Sequence, residues 1–208
     1  MARTLTLDSF AISDNSDCYI IAEIGHNHQG DLKKAKELFK AAAECGVNAV
    51  KLQKRDNKSM FTKAAYHKPY ENENSFGATY GEHREALEFG RAEYVELQQY
   101  AKELGVTMFA TAFDIPSADF LAELDMLVYK DRAGRSEKYA VAETCGGFGK
   151  PMIISTGGSN MEDVQRAHDT VMPLNKQLAI TAARTSSYPA EHHDLNLRVI
   201  RAFAISVP

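Results

Sequence analysis

Short apolar, β-branched runs recur along this chain, and after most of them comes a stretch with helical spacing. The first run, CYIIAEI from Cys18 to Ile24, ends at Gly25 and predicts a buried strand. Asp31 to Cys45 follows, with apolar residues at Leu32, Ala35, Leu38, Phe39 and Ala42. That spacing predicts a helix, with Asp31 suited to cap its start and Gly46 to stop it. Asn48 to Gln53 (NAVKLQ) predicts the second strand. Parallel neighbours need a connection long enough to hold a helix, so strand and helix in repeated alternation imply a parallel sheet.

Residues 54–85 break the rhythm. The segment Tyr66-His67-Lys68-Pro69-Tyr70-Glu71-Asn72-Glu73-Asn74-Ser75-Phe76-Gly77 is polar, aromatic and punctuated by turn formers, which predicts an ordered functional loop. Beyond it the alternation resumes. Helices are expected over Glu93–Leu104, Pro116–Leu124, Glu137–Gly146 and Met161–Met172. Strands are expected over Thr107–Phe113, Met126–Lys130, Met152–Thr156 and Leu178–Thr185.

Six expected strands fit either a doubly wound sheet or a (β/α)8 barrel. Polar residues sit at the ends of strand after strand: Glu23, Lys51, Thr111, Lys130, Ser155, then Thr185 to Tyr188. A barrel builds its site from many successive strand ends, whereas an open sheet uses one switch point. The expected fold is therefore α/β, a (β/α)8 TIM barrel with about six of its eight strands. The 208 residues suffice for one domain with a sizeable core.

A net charge of −4 argues against a general nucleic-acid binder and leaves room for a locally positive site. No apolar run approaches a membrane span, and the N-terminus lacks the apolar stretch of a signal peptide. Cys18, Cys45 and Cys145 are too few and too scattered for a disulfide framework or a zinc site. A reducing cytoplasm is the expected location.

Several residue groups could carry chemistry. Lys51 interrupts an otherwise apolar strand and must find a partner there. It fits a cation for a phosphate, a Schiff-base amine, or a structural salt bridge. Glu23 closes the first strand and fits either a catalytic carboxylate or a partner for Lys51 or Lys130. His26 and His28 alternate; such pairs can bind metal and more often line a loop. Ser155-Thr156-Gly157-Gly158 stands between a strand and a helix, where hydroxyls and free N–H groups cradle phosphate, or where an ordinary turn simply leads into a cap. Thr185-Ser186-Ser187-Tyr188-Pro189 offers hydroxyls for a carboxylate, or a turn before proline. Gly81-Glu82-His83-Arg84-Glu85 reads as a solvated face. No Walker, Rossmann, zinc-finger or nucleophile-elbow motif is present.

Taken in order, these pieces resemble one family. Ile21-Ala22-Glu23-Ile24-Gly25-His26-Asn27-His28-Gln29-Gly30-Asp31 resembles the opening motif of the sialic acid synthases, a family that includes spore-coat polysaccharide relatives. Ala49-Val50-Lys51-Leu52-Gln53, the loop from Lys68 to Gly77 with Thr79-Tyr80-Gly81-Glu82-His83-Arg84, the run from Gly149 to Gly158, and Ser186-Ser187-Tyr188-Pro189-Ala190 complete the resemblance.

The resemblance, carried by the set of motifs together, implies a TIM barrel and a transferase that condenses phosphoenolpyruvate with N-acetylmannosamine or a related acyl amino sugar. A divalent metal, manganese or magnesium, would polarise the sugar aldehyde, and the family suggests a homodimer. By position, Lys51 and Ser155 would hold the phosphate of phosphoenolpyruvate, with Thr111 beside it. Ser186 and Tyr188 would hold its carboxylate. Glu23 would face the sugar and the proton transfers, and Asn72 or Asn74 would reach the sugar from the loop.

The sequence also departs from the family. Lys130-Asp131-Arg132-Ala133-Gly134-Arg135 stands where the family carries a phosphate-binding serine, and Ala183-Arg184-Thr185 where it carries a cysteine before the threonine. Pro208 precedes the family's Gly-Leu-Ser-Asp-His segment. The expectation is a truncated barrel without the C-terminal antifreeze-like domain, its metal ligands further on, and no activity of its own. The alternative is a non-catalytic remnant that binds phosphate, sugar or a partner. A Schiff-base aldolase using Lys51 or Lys130 is a third reading.

Overall fold

The computed structural model describes residues 4–132, 136–181, 185–187 and 189–206. They fall into two compact units, Tyr19–Leu127, and Met1–Cys18 together with Val128–Pro208.

The chain begins with β1 (Thr4–Leu7) and β2 (Phe10–Ser13), an antiparallel hairpin that turns at Asp8, whose φ is 55°. No strand is expected there from the sequence. Four residues a side are too few for alternation to show.

The unit Tyr19–Leu127 holds β3 (Ile21–Gly25), α1 (Leu32–Glu44) and β4 (Ala49–Lys54). Asp31 caps α1 as expected, accepting the Lys34 N–H at 3.1 Å, and Gly46 takes a φ of 79° beyond its end. The segment expected to be a loop contains three short helices, α2 (Asn57–Met60), α3 (Lys63–Tyr66) and α4 (Tyr80–Glu85). Each is capped by its own polar residue: Asp56, Thr62 and Thr79. Four to six residues complete fewer than two turns, so periodicity cannot reveal them. Then come α5 (Arg91–Glu103), β5 (Thr107–Ala112) and α6 (Ile115–Glu123). β3, β4 and β5 pair in parallel in chain order. Every residue of β5 is buried, the pattern of a strand covered on both faces. Phe39 of α1 and Leu97 of α5 are fully buried in this unit, and each such side chain contributes about 1.5–3 kcal/mol of burial.

The other unit continues with β6 (Tyr129–Arg132), α7 (Ser136–Gly147), β7 (Met152–Ser155), α8 (Met161–Val171) and β8 (Leu178–Thr181). A single 3-10 turn at His192–Asp194 and α9 (Val199–Ser206) follow. β6, β7 and β8 again pair in parallel in chain order. The expected strand Met126–Lys130 starts instead at Tyr129. Met126 and Val128 are buried ahead of it, so their apolarity reports packing rather than pairing. Asn160 and Asp163 cap α8 reciprocally at 2.8 and 3.1 Å. On α8, Val164 packs with Phe203, Ile180 and Val199, which gives the unexpected α9 its seat.

Candidate functional site

The register of β3, β4 and β5 sets four polar side chains on one face. Glu23 stands opposite Lys51, and Gln53 opposite Thr111. Lys51 and Gln53, two apart on a strand, point the same way. Lys51 is 4% exposed, and its Nζ lies 2.5 Å from Glu23 Oε2 and donates to Thr111 Oγ1 at 2.8 Å. The Glu23 carboxylate is half exposed, so the pair leads from the core to the surface. Its other oxygen accepts from Gln53 Nε2 at 3.2 Å. Gly25 has a φ of 56°, and a Cβ there would come within 3.4 Å of both Glu23 Oε1 and Gln53 Nε2. Glycine takes that left-handed φ without the strain a side chain would bring.

Next to this group lies a second one. Gln53 Oε1 accepts from Arg55 NH2 at 2.5 Å. Arg55 stacks over Phe113 at 3.7 Å, and its NH1 lies 3.2 Å from His26 Nδ1. Arg84 NH2 approaches the same nitrogen at 3.1 Å. Arg55 NH1 also lies 3.4 Å from His26 Nε2, which comes within 3.2 Å of Glu88 Oε1. That approach is within ion-pair range but off the line a hydrogen bond requires. Glu88 Oε2 accepts from the Arg55 N–H at 3.2 Å and from Lys54 Nζ at 3.3 Å. Burial pushes the Glu88 carboxyl up, but His26 and Lys54 outweigh it and hold it below the usual carboxylate range.

His28 is buried beneath. Its ring stacks on Phe89 at 4.0 Å, and Nδ1 accepts the Gly30 N–H at 3.1 Å. Burial first, then the charge of His26, pushes its pKa down to about 4. The two histidines therefore serve different neighbours and do not form a metal pair. Among the described residues no group of histidine, cysteine, aspartate or glutamate could hold a metal ion.

In the other unit, Ser155 ends β7 at 2% exposed, and among the described residues its Oγ has no hydrogen-bond partner. Thr156 Oγ1 donates to the Thr181 carbonyl at 2.6 Å, closing the turn on β8. Gly158 takes a φ of 71°, and a Cβ there would lie 3.8 Å from Ser186 Oγ. Ser155 and Ser186 thus flank one turn ahead of α8. Lys130 and Asp131 are both buried in the middle of β6.

Asn72 and Asn74 are exposed, and Asn72 Oδ1 accepts the Asn74 N–H at 2.9 Å, closing a turn on itself. Among the described residues no contact joins either to Glu23. Tyr188 lies outside the described residues, as do 133–135 and 182–184. The run Gly81–Glu85 is not a simple solvated face. His83 and Gly81 are buried, and a Cβ on Gly81 would lie 2.4 Å from the Tyr66 ring. Sequence reading missed Gln53, Arg55, Arg84 and Glu88. For Gln53 a signal existed, since it lies two positions from Lys51 on the same strand.

The sequence profile of the NeuB family matches residues 38–206. Human N-acetylneuraminate-9-phosphate synthase is 40% identical over 186 residues, 89% of this chain and 52% of that protein. The N,N'-diacetyllegionaminic acid synthase of Legionella pneumophila is 36% identical over 193 residues, 90% of this chain and 54% of that protein. The chain thus spans about half the length of the curated relatives it matches. Among solved structures, the N-acetylneuraminic acid synthetase of Leptospira borgpetersenii, in complex with citrate, superposes with a TM-score of 0.81 at 25% identity. It covers 98% of this chain and 66% of that one. The fold class is that of the TIM barrel.

Proposed function

Because this chain belongs to the NeuB family, we infer that the protein condenses phosphoenolpyruvate with an acyl amino sugar of the mannosamine type. The products would be a sialic acid-type nonulosonic acid and phosphate. The observation that carries this reading is the buried Lys51 ammonium held between Glu23 and Thr111 on one face of β3, β4 and β5.

In this reading C3 of phosphoenolpyruvate bonds to the aldehyde carbon of the open-chain sugar, and the aldehyde oxygen gains a proton. Water then adds to C2, and the C–O bond to phosphate breaks. Lys51, with Thr111 beside it, offers a phosphate a charge-assisted donor that is already desolvated. Exchanging the Glu23 carboxylate for a phosphate oxygen keeps that cation paired throughout. Glu23 is the group able to hold or move a proton at the sugar oxygen, and Gln53 fixes its second oxygen. Ser155 brings a buried hydroxyl with no partner among the described residues, as suits a donor to an anion. Ser186 and Tyr188 are assigned to the carboxylate, and Asn72 or Asn74 to the sugar.

The divalent metal implied by the resemblance would supply a Lewis acid at the aldehyde. The described residues do not fit it, so no step here is routed through it. A cytoplasmic homodimer is proposed on the same footing. Among the described residues no helix is long and apolar enough to cross a membrane.

The test is release of phosphate from phosphoenolpyruvate in the presence of manganese and each of a panel of acyl amino sugars. Sugar-dependent release supports the reading. Borohydride trapping of a lysine adduct with a keto substrate would favour the aldolase instead.

A further inference from the structure

The segment from Lys68 to Tyr80 closes on itself at a neck. The Tyr70 N–H donates to the Ala78 carbonyl at 3.0 Å and the Tyr80 N–H to the Lys68 carbonyl at 2.9 Å, around an antiparallel bridge between Pro69 and Thr79. A loop of this length whose ends meet is a compact Ω-loop. Glu82 of α4 fastens the neck, accepting the Ala78 and Thr79 N–H groups at 2.9 and 3.1 Å.

The far part of the loop has a separate anchor. Phe76 donates its N–H to His83 Nδ1 at 3.2 Å. Among the described residues this is the hydrogen bond that ties residues 71–77 to anything outside the loop. His83 is 9% exposed, and the rings of Tyr70, Phe76 and Tyr80 lie 4.6, 5.8 and 6.3 Å from its own. A backbone N–H can only donate. Nδ1 is therefore bare, and the imidazole is neutral with its hydrogen on Nε2.

The nitrogen that holds Phe76 is thus also the one a proton would take. A hydrogen there would meet the Phe76 N–H donor to donor, and the bond would be lost. The charged groups around His83 do not compensate. Arg84 follows it on α4, and His26 approaches from the end of β3. Glu82 is engaged at the neck, and Glu85 accepts from the Tyr66 hydroxyl at 3.2 Å. Burial first, then the charges of Arg84 and His26, hold the His83 pKa below its usual 6.5.

We propose that His83 is a positioning residue: its neutral imidazole latches the loop from Lys68 to Tyr80 shut, and its protonation releases the loop. In the open loop the histidine regains its ordinary affinity for a proton. Closure is therefore complete above pH 6.5 and weakens as the pH falls below it. The bearing of the latch on turnover rests on the reading above, in which Asn72 or Asn74 of this loop reaches the sugar.

Hydrogen exchange of the full-length protein at pH 7.5 and pH 5.5 provides the test, with the protection of the Phe76 amide taken against its intrinsic rate at each pH. Protection should fall about threefold or more in the wild type between the two values. His83→Asn keeps an acceptor near the place of Nδ1 and cannot titrate, so its protection should change less than about twofold. His83→Leu keeps bulk without an acceptor and should leave Phe76 poorly protected at both pH values. Amides of β5 should behave alike in the wild type and His83→Asn, which sets local release apart from unfolding. Constant protection in the wild type would overturn the proposal, and so would a fall of the same size in His83→Asn, or full protection in His83→Leu. In steady-state kinetics, KM for the sugar should rise about threefold or more over the same pH range in the wild type and less in His83→Asn, while KM for phosphoenolpyruvate moves equally in both. Equal rises in KM for the sugar would overturn the positioning role. A protein without turnover would sink the synthase reading, and the exchange experiment would still decide the latch.

Discussion

His28→Phe should make the protein less sensitive to acid. His28 is 2% exposed, stacked on Phe89, and its pKa is pushed from 6.5 down to about 4. Because the folded value is the lower one, the unfolded chain binds more protons, and stability falls as the pH drops below about 6.5. The full gap is worth about 3 kcal/mol, reached only below pH 4, and about 2 kcal/mol of it is lost by pH 5. Solvation of the ring once it is charged offsets part of this, so about 1–2 kcal/mol is the figure to expect. Phenylalanine keeps the stack and the burial. It loses the acceptor for the Gly30 N–H, a cost of about 1 kcal/mol at any pH. Urea unfolding of both proteins at pH 7.5 and pH 5 isolates the histidine, since other groups cancel in the difference. The wild type should lose about 1–2 kcal/mol more than the variant between the two pH values. Equal losses would show that His28 takes up its proton as freely folded as unfolded, and would refute the burial account.

Three further outcomes follow from the same geometry. Ser155→Ala should leave thermal stability unchanged or raise it by up to about 1 kcal/mol, since it removes a buried hydroxyl with no partner among the described residues, yet it should weaken the rise in melting temperature that phosphoenolpyruvate gives. Gly30→Ala should destabilise by about 2 kcal/mol or more in urea unfolding, because φ is 75° and the new Cβ would fall 2.2 Å from the Ala86 carbonyl oxygen. Lys51→Met should raise KM for phosphoenolpyruvate about tenfold or more and KM for the sugar far less; an unchanged KM for phosphoenolpyruvate would make Lys51 structural.

The sequence carries the fold through its apolar runs and caps. Asp31, Gly46 and the buried run of β5 behave as their neighbours in sequence require. What escapes is what lacks periodicity: the four-residue strands of the hairpin and the three short helices of residues 57–85. Within the site, Glu23, Lys51 and Thr111 are legible because polar groups within apolar strands need partners, and they find one another. Arg84 and Glu88 are not legible. In a run of charges nothing local says which side chains face water, and only the packing of Gly81 on Tyr66 turns α4 inward. His26 and His28 look alike in sequence but part company because Phe89 covers one while the arginines meet the other.

Phosphate release from phosphoenolpyruvate by the full-length protein, measured with and without an N-acylmannosamine substrate in the presence of manganese, bears most directly on the assignment. The account predicts release that depends on the sugar and is lost in Glu23→Gln, with a nonulosonic acid formed in equal amount. A folded full-length protein that releases no phosphate with any acyl amino sugar, phosphorylated or not, would contradict it.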